Sequence, residues 1–204
     1  MQSLQRLPDA DVYPTAPPDI TVFSGPISER LYIKKPKLHL DFIGTGLLPK
    51  LMLHEAETME LLLRNRHPHV VMYHGALTKR GLIVGLVLER LSITLQHRLE
   101  KTQVFDIENC MRKLESAVSH FHSLGLAHND LTPMNIMVNE CDDPFIIDFG
   151  SCRPFETTLI TAGTPGWIDE DFTVSAQEHD SIALHKIRKW LENRAATTKH
   201  PRTK

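Results

Sequence analysis

The sequence predicts an α+β domain of two lobes, a small β-rich lobe followed by a mostly helical one. Short apolar runs bounded by Gly and Pro, with one helical segment among them, fill the first part of the chain. Beyond them, apolar residues recur at spacings of three and four, which is typical of amphipathic helices. The chain has 204 residues, enough for one domain with short extensions. We expect the domain at residues 19–192, an extended arm at 1–18 and a basic tail at 193–204.

Composition argues against several classes of protein. Hydrophobic residues make up 41% and charged residues 24%, and the net charge of -2 gives no basic field for nucleic acid. Apolar runs such as Leu82–Leu88 are too short to cross a bilayer, and Met1–Val12 lacks the apolar segment of a secretory signal. The three cysteines have no C-x-x-C spacing. We therefore expect an intracellular protein, cytoplasmic or nuclear, without a nucleic-acid or membrane partner.

In the small lobe the pattern alternates between strands and a single helix. Two strands are predicted at Ile20–Phe23 and Arg30–Lys34, joined by a turn at Gly25-Pro26. A helix follows from His54 and stops at His67-Pro68, because proline disfavours a helical predecessor. Further strands are predicted at Val70–Tyr73 and Leu82–Leu88.

In the large lobe the pattern is mainly helical. A polar helix is predicted at Thr94–Glu100, and the next helix is amphipathic, with Asp106 as its N-cap. Short strands are predicted at Ile136–Val138 and Phe145–Ile147. The last helix is predicted to open with a capping box, Ser175-x-x-Glu178.

The strongest chemical signal begins at His128. The run His128-Asn129-Asp130-Leu131-Thr132-Pro133-Met134-Asn135 matches H-x-D-L-x-x-x-N, and Asp148-Phe149-Gly150 follows. These residues, in this order, form the catalytic-loop and metal-binding signature of protein kinases. The sequence therefore resembles the protein-kinase superfamily, specifically the short kinase-like proteins abundant in fungi, over about Ile20–Leu191. The resemblance implies a bilobal protein-kinase-like fold with a small β-rich N-lobe (19–88), a hinge (89–91) and a truncated α-helical C-lobe (92–192).

The resemblance also assigns the chemistry of the catalytic loop, with ATP as substrate and Mg²⁺ as cofactor. Asp130 stands where a carboxylate accepts or orients the proton of the attacking hydroxyl. Asn135 and Asp148 stand where oxygen ligands hold magnesium against the phosphates. Singly, Asp130 reads as a turn residue and Asp148 as the end of a strand, but their joint order favours the catalytic reading.

The phosphate-binding lysine is expected at Lys34, because Leu31-Tyr32-Ile33-Lys34 takes the place of V-A-I-K. Its expected partner is Glu57, which precedes His67-Pro68 by ten residues. Glu55 and Glu60 compete with Glu57 for this role.

Further similarity extends to the adenine site and to the joint between the lobes. Backbone groups of Glu89 and Leu91, beside Leu88, are expected to bind adenine, and Met137 is expected to lie beneath its ring. Asp180 is expected to anchor the backbone of the catalytic loop. The resemblance also implies a stack of Tyr73, Leu61, Phe149 and His128, and a peptide-positioning segment at Gly163-Thr164-Pro165-Gly166-Trp167.

The sequence departs from the family at four places. No G-x-G-x-x-G precedes Lys34, and Tyr13-Pro14-Thr15-Ala16-Pro17-Pro18 stands in that region. Tyr32 replaces the small residue that lies against adenine. Asn129 replaces the arginine that reads a phosphate in the activation segment, so activity should not depend on that phosphate. Asp169-Glu170-Asp171 occupies the place of A-P-E, and only one further helix is predicted after it.

The leading hypothesis is an ATP-dependent transfer of the γ-phosphate to a Ser or Thr hydroxyl of a protein substrate. One alternative is a pseudokinase that acts as a protein-binding module. The other is a small-molecule kinase of the choline-kinase or aminoglycoside-phosphotransferase type, which shares H-x-D-x-x-x-x-N. The twelve histidines include no set with convincing zinc-ligand spacing, so no structural metal is predicted.

Overall fold

The computed structural model describes residues 7–38, 40–101, 105–161, 163–168 and 173–199. The start of the predicted arm, the end of the basic tail and the segment Asp169-Glu170-Asp171 lie outside these residues. The strands are β1 (Leu31–Lys34), β2 (Tyr73–Lys79), β3 (Leu82–Glu89), β4 (Ile93–Thr94), β5 (Leu126–Ala127), β6 (Ile136–Val138), β7 (Pro144–Ile146) and β8 (Arg153–Pro154). The α-helices are α1 (Leu47–Arg64), α2 (Leu95–Lys101), α3 (Ile107–Ser123) and α4 (Gln177–Lys199).

The chain forms two compact units. The first comprises Met1–Asn65 and Met72–Arg90, and the second comprises Arg66–Val71 and Leu91–Lys204. Strands predominate in the first unit beside a single long helix, whereas the second holds three of the described α-helices. The predicted α+β class is therefore confirmed.

The first unit is built on an antiparallel three-stranded sheet in the order β1-β3-β2. Tyr32 lies opposite Leu88, and Lys34 lies opposite Leu86. Among the described residues, β1 pairs with β3 alone and is therefore an edge strand. Helix α1 packs on β2 and buries one apolar stripe, which includes Met52, Ala56, Met59 and Leu62.

Helix α1 is longer than predicted. It begins at Leu47 after Gly46, whose φ of 73° is a left-handed conformation that glycine adopts without strain. Leu48 and Met52 are buried and extend the apolar stripe by two turns toward the N-terminus. The predicted start at His54 was too late, because the pattern before it was not recognised as the same stripe.

Two of the predicted strands do not form over the predicted residues in the described fold. Val22, in the predicted strand Ile20–Phe23, forms one parallel bridge with Ala76 and no ladder. Val70 forms an isolated bridge with Ile146, and β2 starts only at Tyr73. Both segments are short and apolar, and a periodicity signal cannot distinguish a single bridge from a strand.

The second unit follows the predicted order more closely. The Asp106 carboxylate accepts a hydrogen bond of 3.0 Å from the backbone nitrogen of Asn109, so the predicted N-cap of α3 is confirmed. The predicted capping box of α4 is wrong. The hydroxyl of Ser175 instead donates to the carbonyl of Arg153, and the helix starts two residues later at Gln177.

No described helix combines the length and the low polarity that a membrane span requires.

Candidate active site

The backbone of the catalytic loop is anchored by one buried carboxylate. Asp180, near the start of α4, is fully buried. Its two oxygens accept hydrogen bonds from the backbone nitrogens of His128 at 2.8 Å and Asn129 at 2.9 Å. The predicted anchoring role of Asp180 is confirmed, and the residues just before Asp130 are fixed on the last helix.

His128 links the catalytic loop to the residue before Asp148. Its Nδ1 accepts from the backbone nitrogen of Asp130 at 3.3 Å, which assigns the ring proton to Nε2. Nε2 then donates to the carbonyl of Ile147 at 3.0 Å. The ring also packs edge-on against Phe149, with centroids 5.2 Å apart. These contacts join the two motifs H-x-D and D-F-G within the second unit.

Asp130 is held by donors on both carboxylate oxygens. Its Oδ1 accepts from the backbone nitrogen and from the hydroxyl of Thr164, both at 2.7 Å. Its Oδ2 accepts from Nδ2 of Asn135 at 3.0 Å. The predicted catalytic carboxylate is thus fixed between the catalytic loop and the segment predicted to position a peptide.

The amide of Asn135 has a defined orientation. Its Nδ2 also donates to the backbone carbonyl of Asp130 at 2.8 Å, so both amide protons point toward that residue. The amide oxygen of Asn135 is therefore turned to the opposite side. This is the orientation that the predicted metal-binding role requires.

Asp148 comes directly after Ile147, which is hydrogen-bonded to the catalytic loop. The backbone nitrogen of Ile147 donates to the carbonyl of Asn135 at 3.0 Å, and Ile136 lies opposite Ile146 in the β6–β7 pair. Asp148 itself has a φ of 62°, a left-handed conformation that aspartate tolerates better than most residues. Carboxylate and amide oxygens are hard ligands, so Asn135 and Asp148 fit a magnesium ion.

The ion pair of the first unit differs from the predicted one. Lys34 Nζ pairs with Glu55, and both side chains are largely buried. Glu57 is 56% exposed and lies 3.6 Å from Nδ1 of His54 instead. Residues two apart on a helix point about 200° apart, so Glu55 and Glu57 occupy opposite faces of α1. The prediction of Glu57 was wrong because it was made from the number of residues before His67-Pro68, and that number does not say which face of the helix a residue occupies.

Glu60, the remaining candidate for the lysine partner, is buried but serves a different contact. Its carboxylate accepts from the backbone nitrogen and from the hydroxyl of Thr21, both at 2.8 Å. The two bonds join α1 to the chain before β1. No sequence pattern predicted this pair, because its members lie 39 residues apart.

The predicted adenine-binding residues are divided between the two units. Leu88 is buried in β3, and the Glu89 side chain accepts a hydrogen bond of 2.8 Å from the backbone nitrogen of Met72. Leu91 and Met137 are half-buried in the second unit. Tyr32 is 47% exposed on β1. Adenine binding by these residues stays a prediction.

Two further residues have structural roles that sequence reasoning did not predict, and Arg90 is the first. Arg90 Nε donates to the carbonyl of Glu29 at 2.8 Å, its terminal nitrogen donates to that of Leu31 at 2.9 Å, and its guanidinium lies 6.0 Å from the ring centroid of Tyr32. Arg90 therefore caps the backbone of the β1 edge. No sequence pattern predicted this role, because the partners of the Arg90 side chain are backbone groups about 60 residues away.

Asn129 is the second such residue. Its Nδ2 donates to the carbonyls of Ala127 at 2.9 Å and Ser151 at 3.1 Å, and its Oδ1 accepts from Nδ1 of His179 at 2.9 Å. Its φ of 62° is one that asparagine tolerates. A buried neutral amide thus joins the loop, the residues after D-F-G and α4 at the place where the family carries arginine.

Comparison with known proteins gives a consistent result. The sequence profile of the family described as "Protein kinase domain" matches residues 43–182. The serine/threonine-protein kinase/endoribonuclease IRE1 of Hypocrea jecorina is 33% identical over 132 residues, which cover 54% of this chain and 10% of that protein. The serine/threonine-protein kinase SBK2 of Rattus norvegicus is 39% identical over 61 residues, 29% of this chain and 17% of its own.

A plant relative shows the same partial coverage. CBL-interacting protein kinase 4 of Oryza sativa subsp. japonica is 29% identical over 118 residues, which are 54% of this chain and 25% of the relative. The chain thus matches a quarter or less of the length of these three curated relatives.

Proposed function

This chain belongs to the protein kinase domain family, and on that premise we propose that it transfers the γ-phosphate of Mg·ATP to a Ser or Thr hydroxyl of a protein. The observation that carries the proposal is the environment of Asp130. Its carboxylate receives hydrogen bonds from Thr164 and Asn135, and the latter residue turns an amide oxygen away for a cation. A carboxylate held in this way is ready to orient a hydroxyl nucleophile.

The proposed step is a single displacement at the γ-phosphorus. The acceptor oxygen forms a bond to phosphorus, the bond from phosphorus to the β,γ-bridging oxygen breaks, and ADP leaves. Asp130 Oδ2 orients the acceptor hydroxyl and takes its proton. Lys34, held in place by Glu55, neutralises phosphate oxygens. Asn135 and Asp148 would hold a magnesium ion, which would supply positive charge against the charge that develops on the transferred group.

Two features of the described residues support a protein acceptor. Thr164 lies in the segment predicted to position a peptide, and it bonds directly to the catalytic carboxylate. Trp167, in the same segment, packs against Trp190 of α4 with ring centroids 6.3 Å apart. An ordered segment beside Asp130 suits a polypeptide substrate better than it suits a small alcohol.

The test is phosphoryl transfer by the purified chain. The chain is incubated with Mg²⁺ and γ-labelled ATP together with a mixture of unstructured protein substrates, and phosphorylated residues are identified by mass spectrometry. We expect phosphoserine or phosphothreonine, formed about 10²- to 10⁴-fold more slowly in Asp130→Asn. Label on choline or an aminoglycoside in place of protein would establish the small-molecule alternative.

The pseudokinase alternative is favoured by one observation. Among the described residues, β1 has no strand on the side away from β3, so no hairpin extends the sheet beyond the lysine strand. Phosphates bound there would lack the backbone donors of a glycine-rich loop. Binding of Mg·ATP without any transfer, unchanged by Asp130→Asn, would support this alternative.

A further inference from the structure

Residues 12–23, the end of the proline-rich arm and the five residues after it, are held against the sheet of the first unit by backbone contacts. The backbone nitrogen of Ala16 donates to the carbonyl of Gly81 at 2.9 Å, and Thr15 forms an antiparallel bridge with Leu82. Further along, Ala76 donates to the carbonyl of Thr21 at 2.7 Å and accepts from the nitrogen of Phe23 at 2.9 Å. Val12 and Ile20 are buried, so the arm from residue 12 onward belongs to the packed unit.

Residues 14–16 of this arm pair with Leu82 and Ile83 at the start of β3 and with Gly81 before it, whereas residues 21–23 pair with Ala76 on β2. The order β1-β3-β2 places the lysine strand at one edge and β2 at the other. Leu82 pairs with Lys79 of β2 on one side, so its bridge with Thr15 lies on the side of β3 that also pairs with β1. Residues 12–23 thus contact both β3 and β2, and Thr21 is the residue that reaches helix α1.

Thr21, three residues beyond the arm, connects this part of the chain to α1. Glu60 is 7% exposed and accepts two hydrogen bonds from Thr21, one from the backbone and one from the hydroxyl. The buried hydroxyl of Tyr73 on β2 lies beside the same carboxylate, and burial and this charge together raise the pKa of Tyr73. Glu60 of α1 thus binds Thr21 and lies beside Tyr73 of the sheet.

Helix α1 therefore has a polar contact toward each edge of the sheet. Glu55 pairs with Lys34 on β1, and Glu60 binds Thr21, whose carbonyl accepts a hydrogen bond from Ala76 of β2. Five residues separate these glutamates, about 7.5 Å along a rigid helix axis. A rotation or shift of α1 that breaks one contact displaces the other, because the helix moves as a single body.

We propose that residues 12–23 act as a strap that positions α1, with Thr21 and Glu60 as positioning residues for the Lys34–Glu55 ion pair. This inference rests on the proposed function only for the measurement of the KM for ATP, and the labelling of Lys34 described below does not depend on it. The strap is a covalent part of the chain, so α1 is held in the paired position without a separate partner. Hydrogen bonds to a charged group are worth more than neutral ones, which makes Glu60 an effective attachment point.

The test compares three variants. Glu60→Leu removes the acceptor of both hydrogen bonds, Thr21→Val removes the hydroxyl bond alone, and Thr15→Val is the matched control on an exposed arm residue that pairs through its backbone. The first readout is the rate at which a succinimidyl ester labels Lys34 relative to exposed Lys50 and Lys189, because an amine held by Glu55 in a largely buried ion pair is shielded from the reagent. The second readout is the KM for ATP.

We expect labelling of Lys34 to rise about tenfold in Glu60→Leu, about threefold in Thr21→Val and not at all in Thr15→Val. The KM for ATP should rise in the same order. In a Glu55→Gln background, Glu60→Leu should cause no further change in labelling, since the ion pair is already lost. If Thr21 and Glu60 had only a structural role, their substitution would lower Tm, and its effect on labelling would not depend on Glu55.

The outcomes separate the strap from the proposed function. Unchanged Lys34 labelling in folded Glu60→Leu and Thr21→Val proteins overturns the strap. If the wild-type chain transfers no phosphate, the proposed function fails, and the labelling data still decide whether the strap positions Lys34. Should Glu60→Leu fail to fold, the comparison of Thr21→Val with Thr15→Val decides alone.

Discussion

One oxygen of Asp130 accepts both the backbone N–H and the hydroxyl of Thr164, each at 2.7 Å. Gly163 permits this approach, because a Cβ at that position would lie 2.7 Å from Cγ2 of Ile168 and 3.1 Å from the carbonyl of Asn129. The segment 163–168 is thereby packed directly on the catalytic loop. The orientation of Asp130 depends on a residue 34 positions further along the chain.

The first prediction concerns the hydroxyl of Thr164. Thr164→Val keeps the backbone bond to Asp130 and removes the side-chain bond, which is worth about 1.5–3 kcal/mol for a charged acceptor. We expect kcat to fall about tenfold or more, with the KM for ATP unchanged, because nucleotide binding does not use Thr164. Thr173→Val, at an exposed position, is the control. A wild-type kcat in Thr164→Val would show that Asp130 needs no support from this segment.

The second prediction separates the two aspartates. Asp148→Asn should abolish the Mg²⁺-dependent rise in Tm that ATP produces, because an amide is a much poorer magnesium ligand than a carboxylate. Asp130→Asn should keep that rise and lower turnover by about 10²- to 10⁴-fold. The measurement is a thermal-shift titration beside a transfer assay. The assignment of roles fails if the two variants behave alike.

How far the sequence predicted the site depends on how local each contact is. Asp130, Asn135 and Asp148 belong to two short motifs, and their mutual placement follows from bonds within and between those motifs. Asp180 was predicted on resemblance and was found in place. Residue types at fixed spacing therefore sufficed for the catalytic loop.

The contacts that escaped sequence reasoning are distant ones or depend on the phase of a helix. Choosing between Glu55 and Glu57 required knowing which face of α1 carries the partner of Lys34. The start of that helix was also predicted too late. Thr21 and Arg90 bind groups 39 and about 60 residues away, and periodicity carries no information about such pairs. The strand predicted at Ile20–Phe23 failed for the same reason, because its partner makes only one bridge.

The third prediction distinguishes the two glutamates of α1. Glu55→Gln removes the charge that pairs with Lys34, so kcat/KM for ATP should fall about tenfold or more. Glu57→Gln should stay within about twofold of the wild type, since its exposed side chain faces His54 and solvent. Steady-state kinetics over a range of ATP concentrations test both variants. The reverse order of effects would restore Glu57 as the partner of Lys34.

The fourth prediction concerns acid stability. Burial lowers the pKa of His67, with the neighbouring His120 and His69 adding to the effect, and burial also lowers the pKa of His179. The unfolded chain therefore binds more protons than the folded one just below the ordinary value of 6.5. Protonation of these histidines therefore leaves the free energy of unfolding unchanged above pH 6.5 and lowers it as the pH falls toward their lowered pKa values.

Denaturant unfolding between pH 7.5 and 5.5 measures this effect. Removing one such histidine by His67→Gln should flatten the fall in unfolding free energy by up to about 1.4 kcal/mol per pH unit. Ser116→Ala serves as the control, because it deletes the 3.1 Å hydrogen-bond partner of His67 and keeps the imidazole. Equal slopes in the wild type and His67→Gln would contradict the assignment.

The fifth prediction concerns Tyr32, which shares a face of β1 with Lys34 because alternate residues of a strand point the same way. The family carries a small residue at this position against adenine, so we expect the phenol ring to restrict the nucleotide. Tyr32→Ala should therefore lower the Kd for Mg·ATP by about threefold to tenfold, measured by calorimetry. Tyr32→Phe is the control for ring volume and should bind ATP like the wild type. Weaker binding by Tyr32→Ala would show instead that the ring, with Arg90 6.0 Å from its centroid, supports the adenine site.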